Sequence, residues 1–255
     1  MKTTDIDDFK NLIFELKVKP GDKILLHASF ISLGRLDFAI SEAIDVLLKI
    51  LGPEGNLVVP AFTYSFRKGQ AFDPQQTMVS SELGILPEIF RSSYSRYRSW
   101  DGLFSFASLN EFGSAFMRVD AFCFGPGSFF DFMCRDNYKL LSVGVEFSRG
   151  LTAFVHAECL ADVPYRKFQK FKGTLLKNGD EFLASSTHFT WETEWREKYV
   201  TNRQPYGKFL KNSGLLNGMN FRYGYHFTVP LADFVGEVSE TLIKTPLLML
   251  EKKNG

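Results

Sequence analysis

Only four of the 255 residues are histidine and only three are cysteine. The cysteines, Cys123, Cys134 and Cys159, form no close-spaced pair. That excludes a Cys-x-x-Cys redox or zinc motif and a disulfide framework, and it points to reduced thiols in a cytoplasmic protein. No run approaches the ~20 consecutive apolar residues of a membrane span. The polar opening MKTTDIDDFKNL has no apolar segment of the signal-peptide kind. Neither charge predominates: 30 Lys and Arg face 29 Asp and Glu, so the footprint of a nucleic-acid binder is missing. There is no internal repeat and no low-complexity linker. What the chain has in quantity is phenylalanine, 27 residues, most of which belong in a core because aromatic rings bury large apolar areas.

Periodicity gives an alternating pattern of helices and strands. Residues 4–18 carry Ile6, Phe9, Leu12, Ile13 and Leu16 at helical spacing, with Thr3 or Thr4 as the cap. A buried strand at 23–27, an amphipathic helix from Asp37 to the Gly52-Pro53 stop, and a strand at 56–60 make a βαβ unit with parallel strands. Residues 61–80 read as a long loop, 83–91 as a helix, 103–107 and 139–145 as strands, and 152–161 as a helix. Residues 168–176 and 180–186, joined through Asn178-Gly179, read as a hairpin. Helices follow at 192–199 and 231–244. The expectation is one α/β domain over 1–255 with a largely parallel or mixed central sheet flanked by helices, carrying a β-hairpin insertion at about 168–190.

The segment Thr152-Ala-Phe-Val-His156-Ala-Glu158-Cys159 gathers an imidazole, a carboxylate and a thiol. Histidine is the side chain whose ordinary pKa lies nearest neutrality, so His156 is the first candidate for proton transfer. A buried structural imidazole is the alternative at that point. Cys159 lies three residues after His156 and would share its helix face, which allows a thiol nucleophile, although buried cysteines are commonly inert. No Gly-x-Ser-x-Gly elbow is present. His156-Ala157-Glu158 matches the His-x-Glu of zinc deaminases, but their Pro-Cys-x-x-Cys partner is missing, so no metal is expected.

Four segments taken together resemble the aminoglycoside 3-N-acetyltransferase (antibiotic N-acetyltransferase) family. They are Gly21–Gly34 with its Ser32-Leu33-Gly34 loop, Leu51–Tyr64, Phe72-Asp-Pro through Arg98-Ser-Trp-Asp101-Gly102 to Phe106, and Gly125-Pro-Gly-Ser128 through Thr152 to Val163-Pro-Tyr165-Arg166. The resemblance covers roughly residues 20–170 and implies a fold distinct from the GNAT acetyltransferases. It implies a CoA-dependent N-acyltransferase that moves an acetyl or other short acyl group to an amino sugar by direct attack, with coenzyme A and the amino sugar as partners. A homo-oligomer is compatible with the sequence. Antibiotic-modifying members carry His-Pro where this chain has Asp101-Gly102. Relatives that acylate nucleotide-linked sugars of surface polysaccharides resemble it more, and the first expectation is therefore a sugar N-acyltransferase, with an aminoglycoside acetyltransferase as the alternative and a non-catalytic CoA- or sugar-binding module as a third reading.

The site residues follow from the same resemblance. His156 is the expected base, with Glu158 or Asp101 orienting it. His27, Ser29, Ser32, Leu33, Gly34, Thr63 and Ser105 are expected at coenzyme A, the 29–34 amides and the following helix dipole holding phosphate or an oxyanion. Tyr64, Arg98, Tyr165 and Arg166 are expected at the acceptor. Each also has a structural reading: His27 ends a buried strand, Asp101 is suited to a turn before Gly102, and arginines are by default solvated or paired. One departure bears on the base. The family pattern is Thr-x-x-His-x-x-Glu; with Thr152 and Glu158 in register, Val155 occupies the histidine position and His156 falls one residue late. One residue is about 100° of helix rotation, so a straight helix separates His156 from Glu158.

Overall fold

The central strands are short, almost wholly apolar runs, and the residues on either side of them in sequence are amphipathic. That combination buries the strands between two layers of helices. The computed structural model describes residues 2–148 and 150–253. A two-residue strand β1 (Thr3–Thr4) leads into α1 (Ile6–Glu15). The cap of α1 is Asp5, whose carboxylate accepts from the Asp8 amide at 2.8 Å, rather than the expected Thr3 or Thr4. Next come β2 (Lys23–Ala28), β3 (Arg35–Leu36), α2 (Ile40–Leu51) and β4 (Asn56–Pro60). β2 and β4 pair in parallel, as the βαβ reading requires.

The middle of the chain supplies α3 (Leu86–Ser93), β5 (Tyr97–Arg98), β6 (Phe106–Ser108), α4 (Phe129–Arg135), β7 (Lys139–Val143) and α5 (Ala153–Leu160). The strand expected at 103–107 starts later because one Asp101 carboxylate oxygen accepts from the amides of Leu103 and Phe104, which folds those residues into a turn. The hairpin consists of β8 (Arg166–Lys177) and β9 (Asp180–Trp191). Its two-residue turn has φ of 54° at Asn178 and 87° at Gly179, the left-handed pair that Asn-Gly favours. The C-terminal part holds α6 (Thr193–Lys198), β10 (Tyr199–Thr201), α7 (Gln204–Asn212), β11 (Asn217–Phe221), β12 (Gly224–Pro230), α8 (Leu231–Lys244) and β13 (Leu250–Lys252).

Seven strands form the central sheet in the order β11-β12-β7-β2-β4-β6-β5. The inner β7-β2-β4 set is parallel and the outer strands pair antiparallel. The sheet is therefore mixed. Side chains alternate across it. Ile24, Leu26, Leu57, Val59 and Leu141 meet α1, α2 and α3 on one face. Leu25, Val58, Leu140, Phe227 and Val229 meet α4, α5 and α8 on the other. His27 follows Leu25 onto the α5 face. The hairpin stands apart from the sheet. It is tied down by backbone bonds from Phe72 to Thr174 and from Leu176 to Phe72, and by a small cluster of Phe66, Phe72, Leu103, Leu175 and Ala184. No helix among the described residues is long and apolar enough to cross a membrane.

Candidate active site

The parallel strands end side by side at Ala28, Pro60 and Val143, and crevices at the carboxyl ends of such strands are where α/β proteins bind ligands. A cavity of about 520 Å³ opens there, lined by His27, Ser29, Phe30, Pro60, Phe62, Val145 and the start of α3 at Leu86. A second cavity of about 870 Å³ shares Ser29, Ile31 and Val145 with it and adds Glu146, Lys211, Arg222 and Tyr225. The first is apolar with a few polar groups; the second carries charge.

Of the expected site residues, His27 and Ser29 line the first cavity. Nε2 of His27 lies 3.2 Å from Oγ1 of Thr152. Burial lowers the His27 pKa to about 4, against the opposing effect of a hydrogen bond to the Gly150 backbone. The ring is accordingly neutral at physiological pH. Tyr64 is half-buried against Phe62 and Phe104 and is not part of the cavity lining; burial and then the nearby Glu82 raise its pKa.

His156 and Glu158 do not pair. The helix runs unbroken from Ala153 to Leu160, and this turns the two side chains to different faces, as i and i+2 positions must. His156 is fully buried. Its Nδ1 accepts the Gly125 amide at 3.1 Å, and its ring stacks on Phe130 at 5.3 Å. Burial lowers its pKa to about 4. Glu158 instead faces two guanidinium groups: Arg166 Nε lies 2.7 Å from one oxygen and Arg203 Nη2 2.7 Å from the other. Val155, half-buried, shares the α5 face of Thr152 and Glu158. Cys159 is not an activated thiol, since burial pushes its pKa up to about 11.

The remaining expectations meet structural roles. Asp101 is buried, bonded through one oxygen to the Leu103 and Phe104 amides and to the Ser186 hydroxyl of β9. It ties the hairpin to the sheet and does not orient an imidazole. Burial raises its pKa to about 6, against those hydrogen bonds. Arg98 donates to Ser105 and to the carbonyls of Ala61 and Thr77, and Ser105 donates to Ala61; both are committed to backbone. Arg98 borders a separate cavity of about 850 Å³ beside Arg96, Trp100 and Lys177. Thr63 donates to the Gly102 carbonyl. Tyr165 is fully buried against Trp191 and Trp195, and Arg166 is held by Glu158 and the Phe189 carbonyl.

The 29–34 turn is likewise occupied. The amides of Ser29, Ser32 and Gly34 donate to Val143, Ser29 and Ile31 carbonyls, so those three are not free for a phosphate or an oxyanion. The first turn of α2 is capped by its own Glu42, which accepts the Ala39 amide. Leu33 lies in the core. Ser32 borders the second cavity, and Gly34 sits against the Lys2 carbonyl. Among the described residues no group of three or more His, Cys, Asp or Glu is placed to hold a metal ion.

A profile described as aminoglycoside 3-N-acetyltransferase matches residues 25–242. The chain belongs to the aminoglycoside 3-N-acetyltransferase family. Within it, aminoglycoside N(3)-acetyltransferase IX of Micromonospora chalcea is 25% identical over 189 residues, 67% of each chain. The fold is that of solved 3-N-acetyltransferases. Aminoglycoside acetyltransferase AAC(3)-Xa superposes with a TM-score of 0.78 at 20% identity, covering 95% of this chain and 93% of that one. AAC-IIIb, solved as a binary with CoASH, gives 0.78 at 20% identity over 95% and 97%. One residue of this neighbourhood, Arg203, escaped the sequence reading. Arg203 lies 45 residues from Glu158 in a segment with no motif, so nothing local marks it. Thr152 is marked by the family pattern, but its link to His27 depends on the sheet.

Proposed function

We propose that the protein transfers a short acyl group, acetyl first among them, from acyl-CoA to an amino group of an aminoglycoside-type amino sugar. The observation that carries this reading is the crevice at the ends of β2, β4 and β7. Its apolar walls and few polar groups suit a pantetheine arm, and Lys211, in the adjoining cavity, suits the nucleotide phosphates. A family relative solved with CoASH supports the donor, and the names of the relatives support the acceptor. Direct attack fits better than a covalent enzyme intermediate, because the Cys159 thiol stays protonated and no serine elbow exists.

The nucleotide-linked acceptor is withdrawn as the first reading. It rested on Asp101-Gly102 and on Val163–Arg166. Asp101 anchors a loop, Tyr165 is buried, and Arg166 is paired with Glu158. The relatives named above are aminoglycoside enzymes.

Thiol release from acetyl-CoA, measured against a panel of aminoglycosides and of amino-sugar nucleotides, tests the proposal. Aminoglycoside-dependent release is the expected outcome. Release with amino-sugar nucleotides alone would reverse the acceptor assignment. Coenzyme A binding with no release from any acceptor would favour a binding module.

A further inference from the structure

The cavity of about 850 Å³ beside Arg98 shares no lining residue with either cavity at the strand ends. Its walls come from β5, the carboxyl end of α3, the 73–76 turn and the tip of the hairpin. Arg91, Arg96, Arg98 and Lys177 line it, against one acid, Asp73. The chain as a whole is close to electroneutral, so this is a local concentration of one sign. A concave wall of one sign focuses its field on the space it encloses.

Ion pairing does not cancel that field. Arg91 is neutralised by Glu88, which accepts from its Nε and Nη2. Arg96, Arg98 and Lys177 make no ion pair among the described residues. Arg98 is 5% exposed, and its guanidinium donates only to neutral oxygens, those of Ser105, Ala61, Thr77 and Pro74. Burial, and then Arg91, lowers its pKa to about 9, which leaves it charged at neutral pH. Arg203, buried to a similar degree, has Glu158 as its partner. Lys177 stands opposite Asp180 in the hairpin register, the place for a cross-strand ion pair. Its ammonium instead lies 4.6 Å from the centre of the Trp100 ring, on the cavity wall. Asp73 turns one carboxylate oxygen onto the amides of Gln75 and Gln76.

We propose that this cavity is an anion site, separate from the strand-end crevice, that takes the phosphate or diphosphate group of a small molecule. Arg96 and Lys177, both exposed, make the contacts; Arg98 behind them supplies fixed charge while its donors stay on the backbone. A guanidinium fork matches the paired oxygens of a phosphate, and the volume suits a small molecule. The site stands whether or not the crevice transfers an acyl group.

Calorimetric titration of the full chain with inorganic pyrophosphate tests it, alone and with saturating coenzyme A. The second arm separates an independent phosphorylated ligand from the phosphates of coenzyme A itself. Binding at about 1 mM or tighter is expected, changed by less than about threefold when coenzyme A is present. Arg96→Ala and Lys177→Ala each weaken it by about tenfold, and Arg96→Lys by less than Arg96→Ala. Raising the salt from ~50 to ~300 mM weakens it further. Unchanged melting temperatures report folding of these surface variants. ADP binds as pyrophosphate does, and adenosine does not. No binding of pyrophosphate, or binding that both alanine variants retain in full, overturns the site. Displacement of pyrophosphate by coenzyme A overturns its independence and gives the phosphate contacts to the donor.

Discussion

An imidazole that accepts a buried amide and stacks on a phenyl ring is a packing element, whatever its neighbours in sequence. His156→Leu keeps the volume apolar but leaves the Gly125 amide unpaired, which costs about 1–3 kcal/mol. Urea denaturation should show that loss while kcat stays within about twofold. A collapse of kcat at unchanged stability would return the role of base to His156. The sequence displays His156, Glu158 and Cys159 as one reactive cluster. What it does not display is their partners: the Gly125 amide is 31 residues away and Arg203 is 45 residues away. Helical rotation was legible and correctly separated His156 from Glu158; the destinations of the two side chains depend on tertiary packing.

At the scale of elements, the crevice depends on how tightly β7 approaches the 29–34 turn. Gly144, just past β7, has φ of 68°, and a Cβ there would lie 1.7 Å from Ser32 Oγ. Gly144→Ala therefore meets both a left-handed backbone and a clash with a turn that lines both cavities. The backbone term alone is about 1–2 kcal/mol, so the melting temperature falls and KM for acetyl-CoA rises. An unchanged KM in a folded variant would show that the turn is remote from the donor. Elements with clear periodicity or punctuation were readable. α8 has Leu231, Phe234, Val235, Val238 and Leu242 on its buried face, and Asn178-Gly179 fixed the hairpin turn. α4 was not readable, because FFDFMCR is apolar on nearly every face and too short to show a period. β11 and β12 hide in a Gly-, Asn- and Tyr-rich stretch whose strand character comes from β12 pairing with β7 and β11 with β12.

For the whole molecule, the buried histidines set the response to acid. His27 and His156 fall to about 4 and His188 to about 3, in each case chiefly by burial. Below the ordinary value near 6.5, the unfolded chain binds protons that the folded one refuses, so stability present above about pH 6.5 is lost as pH falls toward 4. Asp101 works the other way: its folded pKa of about 6 lies above the ordinary 3.8, so it adds stability as pH falls through 6. Those three histidines against one carboxyl leave roughly two protons, or about 3 kcal/mol per pH unit near pH 5, and His226, also lowered by burial, acts in the same direction. Urea titrations between pH 7 and 4.5 should show that slope; a flat profile would mean the imidazoles are hydrated. The α/β class and the central βαβ unit followed from pattern alone, whereas burial of all four histidines did not, since polarity by itself places a histidine on either side of a surface. One last consequence belongs to the Arg166–Glu158–Arg203 cluster, which joins the base of the hairpin, α5 and the entrance to α7. Removing one partner of a buried ion pair costs about 3–5 kcal/mol, whereas replacing the whole set by apolar residues is far milder. The cost falls most heavily on Glu158, whose loss leaves two buried guanidinium groups facing each other without a counter-charge, whereas loss of either arginine leaves Glu158 one partner.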